Sequence, residues 1–358
     1  MKKFLFFVFV IWIIFICGYY FYEKNKNQNE NKTNITIEDA DSFDSKNSDL
    51  EIEPEVHQEE YFPQTHSSKF NYKYYNFRDK YKITVRNAPN SILGVAITVP
   101  QYQKDRQVVK YLKYSMMPTR IYKQNGNRVA YFEIKHPKTE TIIEVTGQIG
   151  VHTYDLKTAK EKPVVEILSP KDRKKYTSSE KHIESDDPDI IAKAKELKAE
   201  GTLKTVQNIY YFVQKNMTYE YNHEDSIGAK EALKRMKGKC TEYAALMVAL
   251  CRANGIPARV VCGCMINNQK TNRHAWVEVY LDQYGWVTFE PTVLSSIDFD
   301  FSVSPYEYLL AGYNILMPSA IKLKIYSIAN SKTPQPDAML MTFDETTFYD
   351  AKTNQLLK

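Results

Sequence analysis

A cysteine, a histidine and a glutamate fall along this chain in an order that could do nucleophilic chemistry. Cys240 lies in Gly238-Lys239-Cys240-Thr241-Glu242-Tyr243-Ala244. His274 opens His274-Ala275-Trp276-Val277-Glu278-Val279, and Glu290 closes Trp286-Val287-Thr288-Phe289-Glu290 before Pro291-Thr292. A thiol, an imidazole and a carboxylate in this order point to an activated-cysteine enzyme. The spacing predicts that Cys240 starts a helix whose apolar residues run from Ala244 to Cys251 and which stops at Asn254-Gly255. A thiol at that end meets the positive pole of the helix dipole and unpaired N–H groups, which favour its thiolate. The same N–H groups can stabilise an oxyanion. The ordinary fate of a free cysteine is a small buried hydrophobe, and Cys251, deep in the same helix, fits it. Cys262 and Cys264 alternate on a strand, so they are expected to share a face, as core or in a disulfide.

The elements that must position these groups read as helices followed by strands. Ser185-Asp186-Asp187-Pro188 is an N-cap with proline in the first turn. Ile190, Ile191, Ala194 and Leu197 repeat at helical spacing. A second helix from Thr202 carries Val206, Ile209, Tyr210 and Val213, and a short one holds Ala229 to Met236. After the cysteine helix come strands from Ala258 to Met265, His274 to Leu281 and Trp286 to Phe289. Helices first and an antiparallel sheet after them is an α+β pattern. On a hairpin, His274 and Glu290 share a face only if the loop is odd in length or bulged, because side chains alternate with period two. A loop over 281–285 places Trp276 opposite Glu290 and His274 on the diagonal.

These blocks together resemble the transglutaminase-like superfamily, rearranged relatives of papain-like cysteine proteases. The resemblance covers roughly residues 186–295 and rests on the three blocks above together with Arg252-Ala253-Asn254-Gly255-Ile256-Pro257-Ala258-Arg259-Val260-Val261. It implies a papain-like core with Cys240 as nucleophile, His274 as general base and acid, and Glu290 as the group that orients the imidazole. The usual third residue is Asp, so Glu290 departs from the commonest pattern by one methylene. The implied reaction is attack on a peptide or protein amide to give a thioester, which water resolves by hydrolysis and a lysine amine by cross-linking. Trp276 and Trp286 are either walls of the site or core aromatics of the hairpin. An oxyanion donor is expected upstream, near Tyr219. Animal-type members depend on calcium, but no acidic loop here resembles an EF-hand, so neither a metal nor another cofactor is expected.

Around this core the chain divides by composition. Met1-Lys2-Lys3 precedes an apolar run from Phe4 to Tyr22, close to the ~20 residues that span a bilayer. No small-x-small cleavage site follows, so 1–22 reads as an uncleaved signal anchor that leaves the catalytic part outside the cytoplasm. Residues 23–68 read as a disordered acidic linker, with 12 acidic against 4 basic side chains over 23–62. Residues 69–170 carry short alternating runs separated by turns and read as a β-sandwich, of the kind that often precedes this core in bacterial members. The catalytic domain is placed at 171–295. The extension 296–358 shows one strand-like run, Ile321 to Ile328, and a run from Pro305 to Tyr313 read as helical.

The net charge of +5 and 25% charged residues are those of an ordinary lysine-rich protein. No basic run interleaves with aromatics, which argues against a nucleic-acid partner. Five cysteines, one of them in the leader, do not make a disulfide framework. Two other readings stay open. One is a catalytically silent surface protein that binds peptides or scaffolds an assembly. The other is a zinc site from Cys240, Cys262, Cys264 and His274, whose spacing lacks the usual pairs.

Overall fold

The computed structural model of the 358-residue chain describes residues 51–53, 55–62, 70–86, 91–124, 126–164, 166–220, 226–266, 273–292, 300–304, 307–313, 321–327 and 339–357. The expected anchor, 1–22, lies outside them. Among the described residues no helix is long and apolar enough to cross a membrane.

The first half is built from strands: β1 (Glu51–Ile52), β2 (Glu59–Tyr61), β3 (Lys73–Arg86), β4 (Ser91–Thr98), β5 (Gln107–Tyr114), β6 (Arg120–Gln124), β7 (Asn127–Lys135) and β8 (Glu140–Val151). Long β3 alternates strictly, turning Tyr75, Phe77, Asp79, Tyr81, Ile83 and Val85 inward, as period two demands. Six helices and five strands follow. The helices are α1 (Leu156–Glu161), α2 (Pro170–Thr177), α3 (Pro188–Leu197), α4 (Thr202–Asn216), α5 (Gly228–Arg235) and α6 (Cys240–Ala253). Between α4 and α6 lie the short strands β9 (Thr218–Tyr219) and β10 (Lys237–Gly238). The hairpin region is β11 (Ala258–Met265), β12 (Arg273–Leu281) and β13 (Gly285–Phe289). The tail adds β14 (Tyr308–Tyr313), β15 (Ile321–Ser327) and β16 (Met339–Asp350).

Two five-stranded antiparallel sheets form, in the orders β1-β6-β7-β4-β15 and β16-β3-β8-β5-β2. Both sheets contribute to one core, with Leu93, Ile97 and Phe132 from the first and Phe77, Tyr81 and Ile143 from the second. Every edge strand of the pair comes from outside 69–170. β1 and β2 belong to the stretch expected to be a linker, and β15 and β16 to the extension. The linker therefore gives way to folded chain by residue 51. Buried Arg128 on β7 explains this, since it is paired with Glu53 at 2.7 Å and with Glu60 at 2.8 Å.

The second layer set is a four-stranded sheet in the order β13-β12-β11-β14, packed on α6. α6 is buried from Cys240 through Arg252, sheathed by α3, α4 and α5 on one side and the sheet on the other. Asp187 caps α3 by accepting from the Asp189 N–H at 3.0 Å, with Pro188 in the first turn. α6 ends where Gly255 takes φ +72°, a conformation that costs glycine little. The helix expected over 305–313 is instead a strand from Tyr308, which makes β14 the fourth strand of this sheet. The physical reason is double burial. Leu309 packs into the core of the two larger sheets, while Leu310 packs with Val261 and Trp276. A strand covered on both faces shows an apolar run without alternation, which periodicity cannot tell from a helix.

Candidate active site

Cys240 is the first residue of α6. What sets its position is buried Glu242, two residues on. Glu242 Oε2 accepts the Lys239 N–H at 3.1 Å and the Thr241 hydroxyl at 3.0 Å. Its Oε1 accepts the Ser226 hydroxyl at 2.9 Å and the Ile227 N–H at 3.3 Å. The carboxylate thus ties the turn before the thiol to the segment ahead of α5. Gly238 makes room for it, because a Cβ there would lie 2.4 Å from Glu242 Cβ. Motif reading passed over both roles, although a Glu at the third helical position is the sequence mark of a residue that reaches back to its N-cap.

His274 lies at the start of β12, whose pairing with β13 runs from Leu281↔Gly285 to Val277↔Phe289. That register is the one an odd loop requires, and carried one step further it puts Trp276 across from Glu290. His274 Nε2 is 2.7 Å from Glu290 Oε2. The imidazole's other bonded partner is the Cys240 side chain. Burial pushes the His274 pKa down, but the Glu290 carboxylate and the bond to Cys240 outweigh it and lift it to about 10. The structure therefore brings Cys240, His274 and Glu290 into one chain of contacts. All three are buried, at 7%, 4% and 2% exposure, so the charges act on each other through a medium that screens them weakly.

Glu290 has two further donors. Its Oε1 accepts the Thr292 N–H at 2.9 Å, and its Oε2 accepts the Tyr308 hydroxyl at 2.9 Å. Tyr308 comes from β14 and was not among the residues singled out by motif. Its ring stacks on Trp276 with centroids 4.3 Å apart. Trp276, in turn, lies parallel to the His274 ring at 6.4 Å. Trp276 is thus beside the histidine, but at 2% exposure it is a buried wall.

The other named residues fall elsewhere. Trp286 pairs with Tyr280 on the hairpin and packs edge-on to Tyr176 and Tyr280, with the Arg259 guanidinium 4.0 Å above its ring. None of these partners belongs to the thiol, imidazole and carboxylate set, so the structure assigns Trp286 to the core. Tyr219 lies opposite Gly238 in the parallel pair β9–β10 and against the Tyr243 ring, one helical turn beyond Cys240. It is close to the loop before the thiol. Cys251 is wholly buried, which pushes its thiol up to about 12 and leaves it inert. Cys262 and Cys264 do not share a setting. The first packs with the core around α6, while the second lies in the core of the two larger sheets. There Cys264 Sγ accepts from Arg273 and lies 3.4 Å from the Thr346 hydroxyl. The four described cysteines are all free thiols. The proposed zinc quartet is therefore not assembled, and among the described residues no group of three metal-ligating side chains is.

On the same face of the hairpin, Glu278 is clamped between two arginines. Arg259 Nη2 is 2.6 Å from its Oε2, and Arg106 Nε is 3.1 Å from its Oε1. Burial pushes the Glu278 pKa up, but Arg259 and Arg106 outweigh it and hold it below the usual range. A cavity of about 30 Å³ beside Arg106, His152, Glu278 and Tyr308 has room for a water, not for a peptide side chain.

Residues 191–291 match the family profile of the transglutaminase-like superfamily, and this segment belongs to it. A solved structure of a candidate cysteine protease from Cytophaga hutchinsonii superposes with a TM-score of 0.53 at 16% identity, covering 77% of this chain and 99% of that one. That likeness is one of fold. The uncharacterized protein YebA of Bacillus subtilis is 35% identical over 99 residues, 24% of this chain and 13% of its own length. A protein-glutamine gamma-glutamyltransferase of Pseudomonas aeruginosa is 37% identical over 65 residues, 15% of this chain and 10% of its own length. The chain thus spans only a small fraction of these curated relatives.

Proposed function

We propose that the protein is a thiol enzyme that cleaves peptide or protein amides through Cys240, His274 and Glu290. The observation that carries this reading is His274 held between Cys240 and the 2.7 Å contact to Glu290, all buried. The thiol passes its proton to His274, and the sulfur attacks the amide carbonyl carbon. The tetrahedral oxyanion forms beside the N-terminus of α6. The C–N bond then breaks as His274 gives its proton to the leaving amine, and a thioester remains on Cys240. Water, deprotonated by His274, attacks the thioester. The C–S bond breaks, the acid departs and the proton returns to the thiol. Glu290 keeps the imidazole aligned and balances its charge throughout. The chain needs no metal or other cofactor for these steps.

A second reading replaces water with a primary amine, giving a cross-link. The local likeness to a protein-glutamine gamma-glutamyltransferase favours it. We place the catalytic part outside the cytoplasm, tethered by residues 4–22, because Phe4 to Tyr22 is apolar throughout behind Lys2-Lys3.

The test is mass spectrometry of a peptide library incubated with the full-length protein or its Cys240→Ala variant, with and without a primary amine. Cleaved or deamidated peptides that vanish in the variant are the expected result. Amine adducts in their place make the protein an acyltransferase. Peptides unchanged by a well-folded protein point to a silent binding surface and refute catalysis.

A further inference from the structure

The reading of Cys240, His274 and Glu290 as a catalytic set accounts for two of the three donors on Glu290, the imidazole and the backbone N–H of Thr292. The third is a side chain from outside the segment that matches the family profile, which ends at residue 291. The Tyr308 hydroxyl reaches Glu290 Oε2 at 2.9 Å, the same oxygen that His274 Nε2 meets at 2.7 Å. Tyr308 is itself fixed from several sides. Its ring stacks on Trp276 with planes 20° apart, and its hydroxyl accepts from Ser304 Oγ at 3.1 Å. The Ser304 N–H is held by Asp155 Oδ2 at 3.2 Å. Gln107 of β5 brackets Leu310, donating to its carbonyl at 3.0 Å and accepting its N–H at 2.9 Å. Lys73 and Tyr75 of β3 both hydrogen-bond Glu307, the residue before Tyr308. The larger sheets therefore hold β14 in place, and β14 holds Tyr308.

We infer that Tyr308 is a positioning residue that locks the longer carboxylate of Glu290 onto His274. This rests on the proposed catalytic reading. A glutamate has one more rotatable bond than an aspartate, and each free rotor lowers the fraction of time a buried carboxylate spends aligned with its partner. A second donor on Oε2 removes that freedom. The Thr292 N–H on Oε1 prevents the carboxylate from flipping. Among the described residues, the titratable groups that face the pair are Cys240 at the start of α6, Tyr210 on α4 and Tyr308 on β14. Arg273, next to His274, turns away to Tyr81 and Asp79 on β3.

The test reads Cys240 directly, as the rate of alkylation by iodoacetamide against pH in the full-length protein, counted at Cys240 by peptide mapping. Tyr308→Phe keeps the stacked ring and removes only the hydroxyl. Its basic limb should move down by about half to one pH unit, a threefold to tenfold loss of imidazolium at a fixed pH on that limb. In a Glu290→Gln background the same substitution should do nothing more, because it acts through that carboxylate. A limb that stays or moves up in Tyr308→Phe, or effects that add in the double variant, overturns the inference. A general packing defect would lower the melting temperature and leave the limb where it was. If Tyr308→Phe does not fold, Ser304→Ala takes its place, with a smaller shift of the same sign expected and no shift refuting the idea. Alkylation insensitive to both His274→Ala and Glu290→Gln would instead refute the catalytic reading itself, and the inference with it.

Discussion

At the scale of single residues, the arrangement around His274 makes its charge a matter of folding. The ring would titrate near 6.5 in an unfolded chain and titrates at about 10 in the fold. A group raised in this way contributes its stabilisation in full below about pH 6.5 and loses it as pH rises through about 10. The difference in melting temperature between wild type and His274→Gln should therefore be largest on the acid side of that window and shrink toward pH 11. Scanning calorimetry of both proteins from pH 6 to 11 checks this, and a difference that grows with pH contradicts it. Glu290→Gln keeps the shape and removes the charge. Peptide turnover should fall on the order of 10²–10⁴-fold in kcat, by analogy with orienting carboxylates in other triads, read from initial rates at pH 7. Glu242 differs in kind, because four donors converge on it and tie the turn before the thiol to the segment ahead of α5. Glu242→Ala takes the acceptor from buried Lys239 and Thr241 groups and part-buried Ser226 and Ile227 groups, and should cost about 2–4 kcal/mol. Urea denaturation gives that number.

At the scale of elements, how well the sequence foretold each piece depends on whether its signal was local. The helix caps at Asp187-Pro188 and Asn254-Gly255, and the strands either side of Gly285, were legible because caps and turns are written within a few residues. The sharing of one face by His274 and Glu290 was legible because strand period and loop parity are also local. β14 was not, since Leu309 and Leu310 serve two different cores and that is known only once both exist. Tyr308 was invisible for the same reason, as nothing near it in sequence announces a partner just past the end of β13. The two readings left open for Trp286 turn on long-range packing, because its cation, Arg259, lies on β11. The turn before α6 permits a test at this scale. Gly238→Ala forces a Cβ against Glu242, an overpacking that should cost about 1–3 kcal/mol. It should also slow Cys240 alkylation, by displacing the start of the helix.

At the scale of the whole molecule, Glu278 joins the parts. Arg259 holds it from within the smaller sheet, and Arg106 holds it from the loop before β5. Arg106→Ala would leave part of a buried charge uncompensated, at about 3–5 kcal/mol if the pair behaves as other buried pairs do. The melting temperature should fall without a change in the pH dependence of Cys240 alkylation, which separates this clamp from Tyr308. The strand order carries one more consequence, and it concerns time. Each large sheet is closed at one edge by β1 or β2 and at the other by β15 or β16, so residues near 80 wait for partners near 345. Contacts so distant in sequence form late. A chain made from its amino end has Cys240, His274 and Glu290 in hand while both large sheets still lack an edge and β14 is not yet made. The thiol is thus made before the strand that supports its partners, and a protein cut short between Glu290 and β14 carries all three side chains without Tyr308.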